Sequence, residues 1–141
     1  MAAYFDSSVL LSLLLGDEHA TEAMRLWHSE LDRVSSTLLA VECTTVLRRS
    51  LSPTLRPEQR EAAESRLRGA LEEVTIKPVD EDIVVLVNGM PALAACRTLD
   101  VVHIATALFF RAAEPDLPIF TFDARMARVA RDLGVVVRGA D

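Results

Sequence analysis

The chain has 141 residues, half of them apolar, and a formal net charge of −6, so one domain spanning 1–141 with a core of its own is the expectation. The acidic balance argues against wholesale electrostatic binding of nucleic acid, although fourteen of the fifteen basic residues are arginine, the side chain best shaped for forked phosphate contacts. Two cysteines without a CxxC or Cys/His array signal neither a disulfide framework nor a zinc site. No apolar run reaches transmembrane length, and "VLLSLLLG" lacks the basic flank of a signal peptide, so a cytoplasmic protein without membrane association is expected.

In chain order, "AAYF" predicts a strand ending at Asp6, and "SSVLLSLLLG" a helix stopped by Gly16. A second helix is expected over "HATEAMRLWHSELD", with Ala20, Met24, Leu26, Trp27 and Leu31 as its apolar stripe. A short strand at "RVSS" precedes a helix over "STLLAVECTTVLRRS", whose Ser and Thr are capping candidates and whose apolar residues are Leu38, Leu39, Val41, Val46 and Leu47. "RPEQREAAESRLRGALEEV", with Pro57 near its start, reads as an exposed helix with spaced acid and base pairs. "VTIKPV" is strand-like. "DEDIVVLVNGMPALAAC" is a helix disturbed by Asn88, Gly89 and Pro91, leading into a helix that begins near Thr98. "PIFTF", "ARMARVARDLG" and "VVVR" then predict strand, helix and strand. Strands alternating with helices imply an α/β fold on a mostly parallel sheet.

Four acids have no local partner. Asp6 and Asp123 follow two different strands, the place where open parallel sheets bind ligands, though each taken singly is also a good helix N-cap. Glu42 lies on an apolar helix face without a basic residue three or four positions away, and Asp100 heads the apolar "RTLDVVHIATAL". As one cluster they would repel each other unless a cation filled it, and Mg²⁺ or Mn²⁺ suits an all-oxygen donor set. His103 reads as a core residue orienting Asp100, and Thr121 as a hydroxyl near the cluster. Arg48, Arg49 and Arg97 are candidates for flanking phosphates, with solvent-facing positions as the plainer alternative.

The pieces "YFDSSVLLSLLLG", "SSTLLAVECTTVLRR", "RTLDVVHIATAL" and "IFTFDARMARVARDLGV", in that order over nearly the whole chain, resemble the PIN-domain ribonucleases, and within them the VapC toxins of bacterial type II toxin–antitoxin systems. The resemblance implies a PIN-like three-layer α/β fold with about five strands flanked by helices. It also implies Asp6, Glu42, Asp100 and Asp123 as metal-binding and catalytic acids, with Thr121 accessory. The activity implied is endoribonucleolytic cleavage with Mg²⁺ or Mn²⁺, as a homodimer silenced by a cognate antitoxin. The N-terminal helices could supply a groove for an amphipathic antitoxin segment, whose arginine could enter the acid cluster, with burial in the domain core or the dimer interface as the competing use of the same residues. The rivals are a catalytically inactive binding module on the same fold and a receiver-like phosphoacceptor domain using Lys77.

Overall fold

Every residue of "AAYF" is buried, and the two-residue period of a strand divides it between two cores: Ala2 and Tyr4 face one, Ala3 and Phe5 the other. A strand covered on both faces belongs in the middle of a parallel sheet. The computed structural model describes residues 1–29 and 31–140. In it, β1 (Ala2–Phe5) is the central strand of five, with β2 (Asp32–Ser36), β3 (Val74–Lys77), β4 (Ile119–Thr121) and β5 (Val137–Gly139) in the order β3-β2-β1-β4-β5. Every pairing is parallel, so the sheet is wholly rather than mostly so.

The helices form a layer on each face. α1 (Ser7–Leu15), α2 (Ala20–Trp27), α3 (Leu38–Ser50) and α4 (Pro57–Glu72) pack on Phe5 and Phe120, where Phe5 meets Trp27 and Phe120 edge-on at 5.1 and 5.0 Å. α5 (Glu81–Asn88), a 3₁₀ turn (Pro91–Ala95), α6 (Thr98–Arg111) and α7 (Ala124–Asp132) pack on Tyr4 and Ile119. The disturbed helix predicted over residues 80–96 thus divides at Gly89 and Pro91, as a proline that cannot donate demands.

The chain proceeds from β1 to β2 and β3 on one side, then returns through α6 to place β4 on the other side of β1. The strand order reverses between β1 and β4, which opens a crevice at their carboxyl ends. Tyr4 pairs with Ile119 and Phe5 with Phe120, and the Asp6 amide donates to the Phe120 carbonyl at 3.0 Å.

Three local expectations shift. α2 ends at Trp27, buries Ala23 rather than Met24 (49% exposed), and is not continued through "SELD"; Glu30 lies outside the described residues. On α3, Leu39, Cys43 and Leu47 take the buried face, leaving Val41 57% exposed, while of the two capping candidates Ser36 is the one that caps, its hydroxyl accepting the Leu38 amide. β5 begins two residues later than "VVVR", because Val135 closes α7 by donating to the Ala130 carbonyl.

Gly139 ends β5 at φ +102°, where a Cβ would stand 2.6 Å from the Thr121 carbonyl oxygen and against the Phe122 ring. Both objections are to any side chain at all. Gly139→Ala is therefore expected to destabilise the fold by about 1–3 kcal/mol, measured as a lower denaturation midpoint; an unchanged midpoint would contradict this account of β5.

Candidate metal centre

Asp6 leaves β1 as the N-cap of α1 and is almost wholly buried. Its Oδ2 accepts from the Ser8 hydroxyl at 2.7 Å and the Thr121 hydroxyl at 2.8 Å, while the Ser7 hydroxyl makes a 3.4 Å contact with Oδ1. The two hydroxyls in turn accept the Phe122 and Asp123 amides at 2.9 and 3.0 Å. Two neutral relays thus tie the carboxylate to the turn after β4, and none of them supplies a positive charge.

Glu42 projects from α3, in one helical layer, to the Nε2–H of His103 on α6, in the other. His103 is fully buried; its Nδ1 shares a 2.6 Å hydrogen bond with the Tyr4 hydroxyl, and its Nε2 stands 3.6 Å from Asp6 Oδ1. Burial works against a charged imidazole, yet the Glu42 hydrogen bond and the charges of Asp6, Glu42 and Asp100 outweigh it and raise the ring's pKa above its ordinary value. Burial holds the Tyr4 phenol well above its usual range, so it stays neutral.

Asp6, Glu42, Asp100 and Asp123 all line one cavity of about 370 Å³, with Ser7, Ser8 and Arg97 in its wall. Within it, single ligand atoms of Asp6, Glu42 and His103 lie within 4.8 Å of one another, and Asp100 and Asp123 border the cavity outside this tighter group. Asp123 also caps α7, accepting the Met126 amide at 2.8 Å. No arginine or lysine is ion-paired with any of the four acids among the described residues. The excess of negative charge shows in the neighbours. Burial, then Asp123 and Asp6, raise the Asp100 carboxyl pKa, and burial with the charges of Glu42 and Asp6 pushes the Cys43 thiol up to about 12.

One expected role changes. His103 hydrogen-bonds Glu42 and Tyr4 rather than orienting Asp100, because its ring follows the inward face of α6 onto β1. Ser8 is the link between Asp6 and the β4 turn, and Tyr4 lies within an apolar strand; no local pattern marks either role. Lys77, the lysine a receiver-like site would need, bonds Asp80 at 2.7 Å and Asp82 at 3.3 Å and does not line the cavity. Arg48 is taken up by Glu64, Arg49 is exposed, and Arg97 borders the acids.

The PIN domain family model matches residues 3–132. Among curated relatives, Ribonuclease VapC46 of Mycobacterium tuberculosis (strain ATCC 25618 / H37Rv) is 31% identical over 137 residues, covering 96% of this chain and 95% of that protein. A toxin–antitoxin complex from Klebsiella pneumoniae shares the fold at a TM-score of 0.68 and 22% identity, over 99% of this chain and 100% of that one. VapBC2 from Rickettsia felis, bound to a DNA fragment from its promoter, matches at 0.68 and 12% identity over the full length of both chains.

A raised pKa in the fold makes the His103 contribution complete below the ordinary imidazole value of about 6.5 and removes it as pH climbs through the folded value. The raised Asp100 carboxyl acts with the same sign at lower pH. The chelator-treated protein should therefore lose melting temperature as pH rises above that ordinary imidazole value, and His103→Gln should flatten that slope. A slope identical in the variant would show that this ring does not carry it.

Proposed function

The chain belongs to the PIN-domain family, and from that premise we propose that it is a divalent-metal-dependent endoribonuclease and the toxin of a type II toxin–antitoxin pair. The observation that carries the reading is the delivery of Asp6, Glu42, Asp100 and Asp123 from four different elements to one cavity without a lysine or arginine paired to them among the described residues. The identity with a ribonuclease and the shared fold with toxin–antitoxin complexes support it.

The donor set fits a hard divalent cation: carboxylate oxygens in excess, mutually destabilised as the raised Asp100 carboxyl records, with room for water. Mg²⁺ or Mn²⁺ meets that description. When bound, such an ion supplies Lewis acidity, lowering the pKa of a water and drawing charge from a phosphoryl oxygen. Asp6 would serve as the fixed ligand, since Ser8 and Thr121 immobilise its Oδ2. Glu42, Asp100 and Asp123 would hold the ion from the surrounding elements. Arg97, in the cavity wall, holds an RNA phosphate beside the acids, a contact that both positions and neutralises the backbone.

The cognate antitoxin docks in the groove between α1, α2 and α4, a cavity of about 280 Å³ whose wall includes Leu13, Leu14, Met24 and Trp27. A homodimer uses the opposite layer, where Val84 and Val85 of α5 stand 51% and 62% exposed.

Asp100→Asn keeps the shape and removes the ligand charge, so RNA cleavage should fall by about 100-fold or more with an unchanged far-UV spectrum, and EDTA should do the same to the wild type. A folded variant that cleaves at full rate removes Asp100 from the site. Saturating Mn²⁺ should also raise the wild-type melting temperature. For the partner, Met24→Glu places a charge in the groove and should weaken antitoxin affinity by about 10-fold or more in calorimetry; wild-type affinity would put the antitoxin elsewhere.

A further inference from the structure

His103 and Tyr4 are fully buried polar residues in direct contact with the acidic cluster, and no step of the chemistry above uses them. Their hydrogen bonds run in one line, from the Tyr4 hydroxyl through Nδ1 and Nε2 of the imidazole to Glu42 Oε1. The Tyr4 and His103 rings also meet edge-on, at 5.8 Å and 73°, so the imidazole is held at both nitrogens and against an aromatic face.

We infer that Tyr4 and His103 are positioning residues that fix the Glu42 carboxylate for the divalent ion. Glu42 needs such help more than the other three acids. Asp6 is held by two hydroxyls, Asp123 is locked by the cap bond to the Met126 amide, and Asp100 has a short side chain in the first turn of α6. Glu42 has three rotatable bonds and sits half-buried on a helix of the opposite layer, so without an anchor it would lose much of its conformational freedom only on binding the ion. The anchor engages Oε1 and leaves Oε2 for the cavity.

Placement along the chain makes the device economical. Tyr4 stands two residues before Asp6 on the central strand, and His103 one turn after Asp100 on α6. The elements that carry two of the acids thus also carry the clamp for a third, and a shift of β1 or α6 moves ligand and clamp together. Direct ligation by His103 Nε2 is the competing assignment, since that atom lies within 4.8 Å of the Asp6 and Glu42 oxygens. It would require giving up the bond to Glu42, which the positioning role keeps. Outer partners of this kind are worth about 10–100-fold in metal affinity.

The inference rests on the metal reading above, and the test separates the two. Mn²⁺ is titrated by calorimetry into the chelator-stripped full chain as wild type, Tyr4→Phe, Glu42→Gln and the double variant, with His103→Gln replacing Tyr4→Phe should the latter fail to fold. Tyr4→Phe is expected to weaken Mn²⁺ binding by about 10-fold in the wild-type background and to have no further effect once Glu42 is Gln. A general loosening of the fold would instead cost the same in both backgrounds, which would overturn the inference, as would undiminished affinity in Tyr4→Phe. Electron spin-echo spectra of the Mn²⁺-loaded wild type should lack the ¹⁴N coupling of a directly bound imidazole; its presence would make His103 a ligand and overturn the positioning role. Failure of the wild type to take up Mn²⁺ would sink the metal reading, and this inference with it.

Discussion

A carboxylate buried at the carboxyl end of the central strand is the constraint to which the surrounding structure answers. Asp6 is 5% exposed, and an ionised group so placed costs several kcal/mol unless donors or a countercharge meet it. The chain meets it with neutral donors. Thr121 reaches Asp6 only because β4 lies against β1, and Ser8 only because α1 begins at the same turn. Hydroxyls satisfy lone pairs without cancelling charge, so the negative potential persists and is shared with Glu42, Asp100 and Asp123. Burial first, and that potential second, raise the Asp100 carboxyl and push the Cys43 thiol up to about 12, on both sides of the sheet.

What could be read from the residues alone follows from how far each signal reaches along the chain. Strand–helix alternation and the acids after "AAYF" and "PIFTF" are local patterns, and parallel crossovers then make the two strand ends neighbours. Glu42 was conspicuous because helical spacing made its lack of a partner countable. The Tyr4–His103–Glu42 line was not, because it joins residues 99 and 61 positions apart. From sequence, His103 has Asp100 one turn away; in the fold its ring points onto β1, and the two-residue period of β1 puts Tyr4 there. Met24 and Val41 illustrate a smaller limit. An apolar residue beside a stripe reads as part of it, while the packing of α2 and α3 selects a face narrower than the composition suggests.

The acidic total reads differently once its location is known. The cavity sets four acids against Arg97 alone, so half of the net charge of −6 is concentrated there, and bulk charge is a poor guide to which ligands the cleft attracts. A cavity with four carboxylates repels a phosphodiester; the same cavity holding a divalent ion, with Arg97 in its wall, draws one in. On the proposed function, metal and RNA would then favour each other's binding, since linkage makes any such coupling reciprocal. The same electrostatics allows an intruding arginine to replace the ion's charge while leaving nothing to polarise a phosphate. On that proposal, a cluster without a paired lysine or arginine among the described residues, retained at the expense of stability, would make one cavity responsive to substrate, ion and inhibitor through a single quantity, the positive charge placed within it.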